Sequence, residues 1–102
     1  MPEMTPETEN EIREMVIGFF ADECDMEPDE ITPDTNIIED LEGDSLMFMA
    51  LLEKIRRKYG IGIELKTLAR HLMKKPANTI AQVVDLSVAM VRHGDDIINV
   101  DL

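Results

Sequence analysis

The chain has 102 residues, of which 44% are hydrophobic and 31% are charged, and its formal net charge is −12 at pH 7. This length and composition indicate one globular domain over residues 1–102 rather than a disordered chain. The acidic charge argues against nucleic-acid binding, which needs clustered Lys and Arg to neutralise phosphates. Cys24 is the single cysteine, so no internal disulfide can form, and its acidic neighbours favour an inert, spare thiol.

The start of the chain, MPEMTPETENE, is acidic and polar, unlike a signal peptide. No apolar run reaches the length of a membrane span, so we expect a cytoplasmic protein without membrane insertion. Nothing in the sequence requires more than a monomer. The charge is unevenly distributed: residues 1–44 hold 16 of the 22 acidic residues and one of the ten basic residues. This asymmetry suits partners that carry basic patches.

Apolar residues recur with the period of α-helices. The first helix is predicted to begin at Thr5 as N-cap, with Pro6 at its first position, and to end near Ala21 or Asp22. Its apolar stripe consists of Ile12, Met15, Val16, Phe19 and Phe20. A long acidic connection then spans residues 22–44. Its predicted anchors to the core are Ile31, Ile37, Ile38 and Leu41.

The second helix is predicted to run from Asp44 or Ser45 to about Tyr59, where Gly60 stops it. Its core residues should be Phe48, Leu51, Leu52, Ile55 and Tyr59. A third helix is predicted over residues 64–74, ended by Pro76, and a fourth between a Thr79–Gln82 capping box and Gly94. Residues 1–4 and 95–102 are expected to fray. The predicted fold is therefore all-α, a four-helix antiparallel bundle with a long loop between the first two helices.

The segment LEGDSLMFMA at residues 41–50 changes abruptly from acidic to apolar, and Ser45 lies at the boundary. The simplest interpretation is a helix cap, since Ser and Asp are both favoured there. GDSL at 43–46 is also a signature of esterases, but those enzymes need a strand before the serine and a histidine base. His71 does not suit that task, because its cationic neighbours oppose the uptake of a proton. His93 lies near a helix end, where a histidine that complements the helix dipole is the simpler explanation. We therefore predict no catalytic residues.

The sequence also lacks the spacing of a metal site. Its two histidines are 22 positions apart, and its acidic residues do not follow a calcium-loop pattern.

Two segments together, ITPD at 31–34 and IEDLEGDSL at 38–46, resemble the acyl carrier proteins. The resemblance covers residues from about 6 to 93. It implies that Ser45, flanked by Asp44 and Leu46, carries 4'-phosphopantetheine through a phosphodiester, after modification by a phosphopantetheinyl transferase. The terminal thiol of this arm would hold acyl intermediates of fatty acid, lipid or polyketide biosynthesis. A peptidyl or aminoacyl carrier, or a non-carrier helical interaction module, remains as an alternative.

The second helix departs from that family's usual acidic face. Met47 and Ala50 stand where acids are frequent, and the seven residues 46–52 are all apolar, which is more than one helix face can bury. Either a longer third-helix region over residues 65–78 covers the surplus, or it forms an apolar docking surface of a specialised carrier. The residues expected to dock acyl-loading and acyl-modifying enzymes are Asp40, Glu42, Asp44, Met47 and Met49.

Overall fold

The structure, a computed structural model, describes residues 4–75 and 77–100. It confirms the all-α prediction, with helices α1 (Pro6–Cys24), α2 (Ser45–Lys58), α3 (Leu65–Leu72) and α4 (Ile80–His93). Two short 3-10 helices accompany them, at Pro28–Glu30 and Gly94–Asn99. Within the described ranges no helix is both long and apolar enough to cross a membrane.

Helix α1 begins as the sequence predicts, because the Thr5 hydroxyl accepts a hydrogen bond from the Thr8 N–H at 3.1 Å and Pro6 occupies the first position. It ends at Cys24, beyond the predicted Ala21 or Asp22. Asp25 closes it in the left-handed conformation, with φ of 54°. The polar residues of the last turn are exposed or only partly buried, so the helix continues after its apolar stripe has ended.

The core lies between one face of each helix and three residues of the connection between α1 and α2, which we call the first loop (residues 25–44). Its fully buried large side chains are Phe20, Ile12, Leu51, Leu52, Ile55, Leu68, Leu72, Ile80, Met90, Ile97, Val16 and Val83. The first loop contributes Ile31, Ile37 and Leu41, each 6% exposed, as predicted.

The prediction that Ile38 is a fourth anchor is wrong, because this side chain is 60% exposed. The Asn36 side chain accepts hydrogen bonds from the N–H groups of Ile38 and Glu39, at 3.0 and 2.8 Å, and so forms a tight turn. In this turn Ile37 is buried, whereas its neighbour Ile38 lies at the surface.

Backbone hydrogen bonds fasten the first loop to the connection between α3 and α4. Ile37 N–H donates to Asn78 O at 2.8 Å, and Ile80 N–H donates to Thr35 O at 3.1 Å. The predicted capping box is confirmed, since Thr79 and Gln82 exchange hydrogen bonds at the start of α4. The long loop is thereby held in one place, and its last residues lie beside the end of α3.

Helix α3 spans eight residues, which is shorter than the predicted range of 64–74. After Leu72 the chain tightens into a turn, in which the N–H of Lys74 bonds to His71 O and the N–H of Lys75 bonds to Leu72 O. Pro76, the predicted stop, lies outside the described residues. The longer third helix, offered as one cover for the surplus of α2, is therefore not formed.

The prediction that the chain frays after residue 94 is wrong for residues 95–100. Gly94–Asn99 form a 3-10 helix in which Ile97 is fully buried, because this side chain fills space beside α3 and α4. The remaining residues predicted to fray, 1–3 and 101–102, lie outside the described part of the chain, and Met4 packs against the core.

Candidate functional site around Ser45

The capping role at the start of α2 belongs to Asp44. Its carboxylate accepts a hydrogen bond from the Met47 N–H at 3.0 Å, and its backbone is extended, as an N-cap requires. Ser45 is the first residue of the helix and is exposed. Its hydroxyl makes no hydrogen bond within the described residues. The helix-cap interpretation of Ser45 is therefore wrong, and the hydroxyl is left accessible to a modifying enzyme.

Close packing requires a glycine at position 43, which the sequence alone did not indicate. Its N–H donates to Ile37 O at 2.8 Å, and a Cβ built on it would lie 2.6 Å from Ile37 Cγ2. Any side chain here would force Ile37 to shift. Glycine thus allows the first loop to close tightly just before the helix that presents Ser45.

Ser45 lies at the edge of an apolar cleft of about 440 Å³, which we call the Ser45 cleft. Four parts of the chain form it: α1, the first loop, the first turn of α2 and the segment after α3. Its lining residues are Phe20, Ile37, Ile38, Gly43, Asp44, Ser45, Phe48, Met73, Lys75 and Ala77. No histidine is among them, so this cleft offers Ser45 no imidazole base.

Two large apolar side chains of this cleft, and that of Leu46 beside Ser45 in the sequence, are exposed to an unusual degree. Leu46, which follows Ser45, is 79% exposed, and the cleft residues Ile38 and Met73 are 60% and 47% exposed. By contrast, the predicted docking residues Met47 and Met49 are partly buried and pack against the core. The sequence pattern therefore indicated surplus apolar surface on α2, but Leu46 carries most of it.

The predicted acidic docking residues Asp40, Glu42 and Asp44 are all exposed. Asp40 has a local structural task as well, because its carboxylate accepts a hydrogen bond from the Asn36 N–H at 2.8 Å. A second cleft of about 510 Å³, which shares no lining residue with the Ser45 cleft, lies between the end of α1 and the first loop. Its acidic lining residues are Glu23, Asp25, Glu39, Asp40 and Glu42.

The lone thiol of Cys24 lines this second cleft. It donates a hydrogen bond to Leu41 O at 3.4 Å. Burial raises the pKa of Cys24, and the charges of Glu23 and Glu42 raise it further. The thiol is thus held in its protonated, less reactive form, in accord with the spare thiol that the sequence suggests.

Among residues 4–75 and 77–100, no group of three or more His, Cys, Asp or Glu residues is placed to hold a metal ion. His71 is engaged elsewhere, since its Nε2 lies 2.9 Å from Val100 O.

The site fits a covalently attached phosphate group. An exposed, free hydroxyl stands at the N-terminus of a 14-residue helix, where the first N–H groups lack intrahelical acceptors and the helix dipole is positive. The apolar cleft beside it could receive a chain attached through that phosphate.

A family profile described as "Phosphopantetheine attachment site" matches residues 14–87. The "Acyl carrier protein homolog" of Clostridium acetobutylicum is 37% identical over 100 residues, which are 98% of this chain and 97% of that protein. An "Acyl carrier protein" of Thermosynechococcus vestitus is 31% identical over 55 residues, 54% of this chain and 68% of that protein. No solved structure matches the chain.

These matches agree with the resemblance seen in the sequence. The profile covers most of the chain, and the clostridial relative matches nearly all of it. The cofactor of such an attachment site is covalently bound 4'-phosphopantetheine, as predicted. The chain therefore belongs to the acyl carrier protein family.

Proposed function

We propose that Ser45 carries the 4'-phosphopantetheine arm and that the chain, as one domain, holds acyl groups on this arm as thioesters, without catalysis of its own. One observation supports this proposal most strongly. The Asp44 carboxylate caps α2, so the adjacent Ser45 hydroxyl stays exposed and makes no hydrogen bond within the described residues. A hydroxyl in this state can be reached from outside the fold.

The residues around Ser45 have a supporting role. Modification would join the Ser45 oxygen to the phosphate of the arm as the pyrophosphate bond of coenzyme A breaks, so that adenosine 3',5'-bisphosphate leaves and the hydroxyl proton is lost. The first N–H groups of α2, those of Ser45 and Leu46, lie at the positive end of the helix dipole. They would offset the negative charge of this phosphodiester. The thiol at the far end of the arm would supply the thioester bond to the cargo.

We propose acyl groups of fatty acid, lipid or polyketide biosynthesis as the cargo. Asp44 directly before the serine and the names of the relatives favour acyl over peptidyl or aminoacyl cargo. The Ser45 cleft is largely apolar, and its volume of about 440 Å³ is within the range of small-ligand sites. An apolar chain could therefore be shielded there.

The partners proposed for this site are a phosphopantetheinyl transferase and acyl-handling enzymes with basic surfaces. Asp40, Glu42 and Asp44 would attract such surfaces from the first loop. Farther along α2 the exposed charges reverse, because Lys54, Arg57 and Lys58 are cationic. A basic partner should therefore approach Ser45 from the side of the first loop rather than along the rest of α2.

Within this docking surface we assign the apolar contact to Leu46. Because its side chain is 79% exposed, Leu46→Asp should leave the melting temperature nearly unchanged. We expect the same substitution to weaken transferase or client binding at least several-fold. Unchanged binding of the folded variant would rule out Leu46 as a contact.

The attachment itself is tested by co-expressing the chain with a promiscuous phosphopantetheinyl transferase and measuring its intact mass. The chain offers a matched control, because its other serine, Ser87, is fully buried and donates a hydrogen bond to Val83 O at 2.8 Å. We expect one phosphopantetheine increment in the original chain and in Ser87→Ala, and none in Ser45→Ala. No increment in the original chain would favour a non-carrier interaction module.

A further inference from the structure

Residues 94–100 fold back onto the bundle after α4, and we call this segment the C-terminal strap. Its 3-10 helix, Gly94–Asn99, contacts both α3 and α4. Ile97 is fully buried within this contact, whereas its neighbour Ile98 is 41% exposed. The strap is thus anchored by one apolar side chain. It also lies beyond the family match, which ends at residue 87.

Two polar contacts fasten the strap to the part of the chain that surrounds α3. The Asp95 carboxylate accepts a hydrogen bond at 2.6 Å from the N–H of Gly62, in the connection before α3. His71, on α3 itself, donates from Nε2 to Val100 O at 2.9 Å. The strap therefore holds α3 and its preceding connection from outside the bundle.

Helix α3 depends on such contacts because it has only eight residues, too few to be stable without tertiary packing. The turn that follows it supplies Met73 and Lys75 to the wall of the Ser45 cleft. The rest of this cleft comes from α1, α2 and the first loop, and a backbone hydrogen bond ties the first loop to Asn78 in the connection after α3. The strap therefore acts on the α3 side of the cleft, through its hydrogen bond with His71.

We propose that the C-terminal strap is a latch on α3 that sets how far the Ser45 cleft can open. When the strap is attached, α3 and the turn after it are held against the bundle and the cleft keeps its narrow form. When the strap is released, α3 loosens and the cleft widens. Any group that enters the cleft by pushing α3 outward must work against the strap, and the coupling is reciprocal. The latch is a property of the unmodified chain, so it stands or falls independently of the role proposed for Ser45.

The first test compares Ile97→Ala with its matched control Ile98→Ala in the unmodified chain. Amide hydrogen exchange measures the opening of each helix separately. We expect exchange in α3 to accelerate by about tenfold or more in Ile97→Ala, with little change in α1 and little change anywhere in Ile98→Ala. Equal acceleration in α1 and α3, or an unchanged α3, would overturn the latch.

The second test uses the hydrogen bond of His71, which can be removed without opening a cavity in the core. The reporters are ¹³C-labelled methionine methyl groups, with Met73 on the cleft wall and Met15 on α1 as the remote control. His71→Ala should shift and broaden the Met73 signal, and His71→Gln should restore it, because a glutamine amide can donate in place of Nε2. A Met73 signal that is the same in all three chains would contradict the proposal, even if Ile97→Ala fails to fold.

Discussion

At the scale of single residues, the site depends on a division of tasks between two neighbours. Asp44 satisfies an N–H group at the start of α2, and Ser45 presents its hydroxyl to solvent. Either residue could have served as the cap, and a serine in that role would hold its oxygen against the backbone. The placement of the aspartate thus explains why the serine is available.

This division predicts unequal stability effects for substitutions of the two residues. Asp44→Ala should destabilise the fold by about 1 kcal/mol, the usual cost of a lost N-cap, whereas Asp44→Asn should be nearly neutral. Ser45→Ala should change the free energy of unfolding by less than about 0.5 kcal/mol, because an exposed hydroxyl without a hydrogen bond is removed. Urea unfolding measures all three. A large loss in Ser45→Ala would show that its oxygen is engaged in the fold.

Substitution by alanine should have opposite effects on stability at Gly43 and at Gly18. Gly43→Ala should destabilise by about 1–3 kcal/mol, because the new Cβ would meet Ile37 at 2.6 Å. Gly18→Ala should instead stabilise by about 0.5–1 kcal/mol, since the site lies within α1 and nothing is within 4 Å of the new atom. Thermal unfolding of the two variants should therefore shift in opposite directions, and equal shifts would contradict this account.

Sequence reasoning singled out Ser45 and its flanking residues but not their mutual arrangement. Helical periodicity identifies which face of α2 is buried, and it correctly placed Phe48, Leu51, Leu52 and Ile55 in the core. It could not rank the surplus residues, because the exposure of Leu46 against Met47 depends on which neighbouring elements cover the first turn. The close contact of Gly43 with Ile37 was likewise invisible, since it joins two positions of an irregular loop.

At the scale of elements, one carboxylate, that of Glu53, pairs with two arginines near the end of α2. Glu53 pairs with Arg56 through two hydrogen bonds, at 2.9 and 3.0 Å, and with Arg57 through one at 2.6 Å. Arg56 also donates to the carbonyl oxygens of Ile61 and Ile63, at 3.2 and 3.4 Å. The pair thus links the last turns of α2 to the connection that leads into α3.

The hydrogen bonds from Arg56, followed by that from Arg57, lower the pKa of Glu53 from 4.5 to about 2. A carboxyl group with a lowered pKa in the folded state stabilises the fold above its unfolded pKa, and this contribution disappears as the pH falls through the folded value. The stability of the chain should therefore decrease between about pH 4.5 and pH 2.

We expect Glu53→Gln to flatten the pH dependence of the melting temperature over this range, compared with the original chain and with Glu7→Gln on the first turn of α1. Identical pH profiles for the three chains would show that the Glu53 pair does not contribute.

The existence and order of the four helices follow from periodicity and capping signals, but the ends of two of them do not. Helix α1 continues beyond its apolar stripe, and α3 stops early because the chain after Leu72 turns to form the cleft wall. Residues 95–102 were predicted to fray, because chain termini usually do. The order of the strap comes from a tertiary contact of Ile97, which no local pattern reveals.

At the scale of the whole molecule, an acidic and a cationic segment of the chain flank Ser45. The acidic first loop lies before Ser45, and the cationic end of α2 lies after it. The backbone bonds between the first loop and the start of α4 keep the acidic side in a fixed position. A partner therefore encounters a directional electrostatic surface rather than a uniformly acidic one.

This arrangement predicts a salt-dependent encounter with the transferase. Raising the ionic strength from about 0.01 M to 0.15 M shortens the screening length from about 30 Å to 8 Å. The second-order rate constant for modification should then fall several-fold. Glu42→Lys should lower both the rate at low salt and its salt dependence, whereas Glu7→Lys, on the first turn of α1, should have a smaller effect. A salt-independent rate would contradict electrostatic steering.

The central claim, that Ser45 alone carries the arm, is tested most directly by peptide-level tandem mass spectrometry after incubation with coenzyme A and a phosphopantetheinyl transferase. The account predicts one phosphopantetheine group, located on Ser45 in the peptide that contains Leu41 to Leu52. An unmodified Ser45 in the folded chain, or an arm found on any other residue, would contradict it.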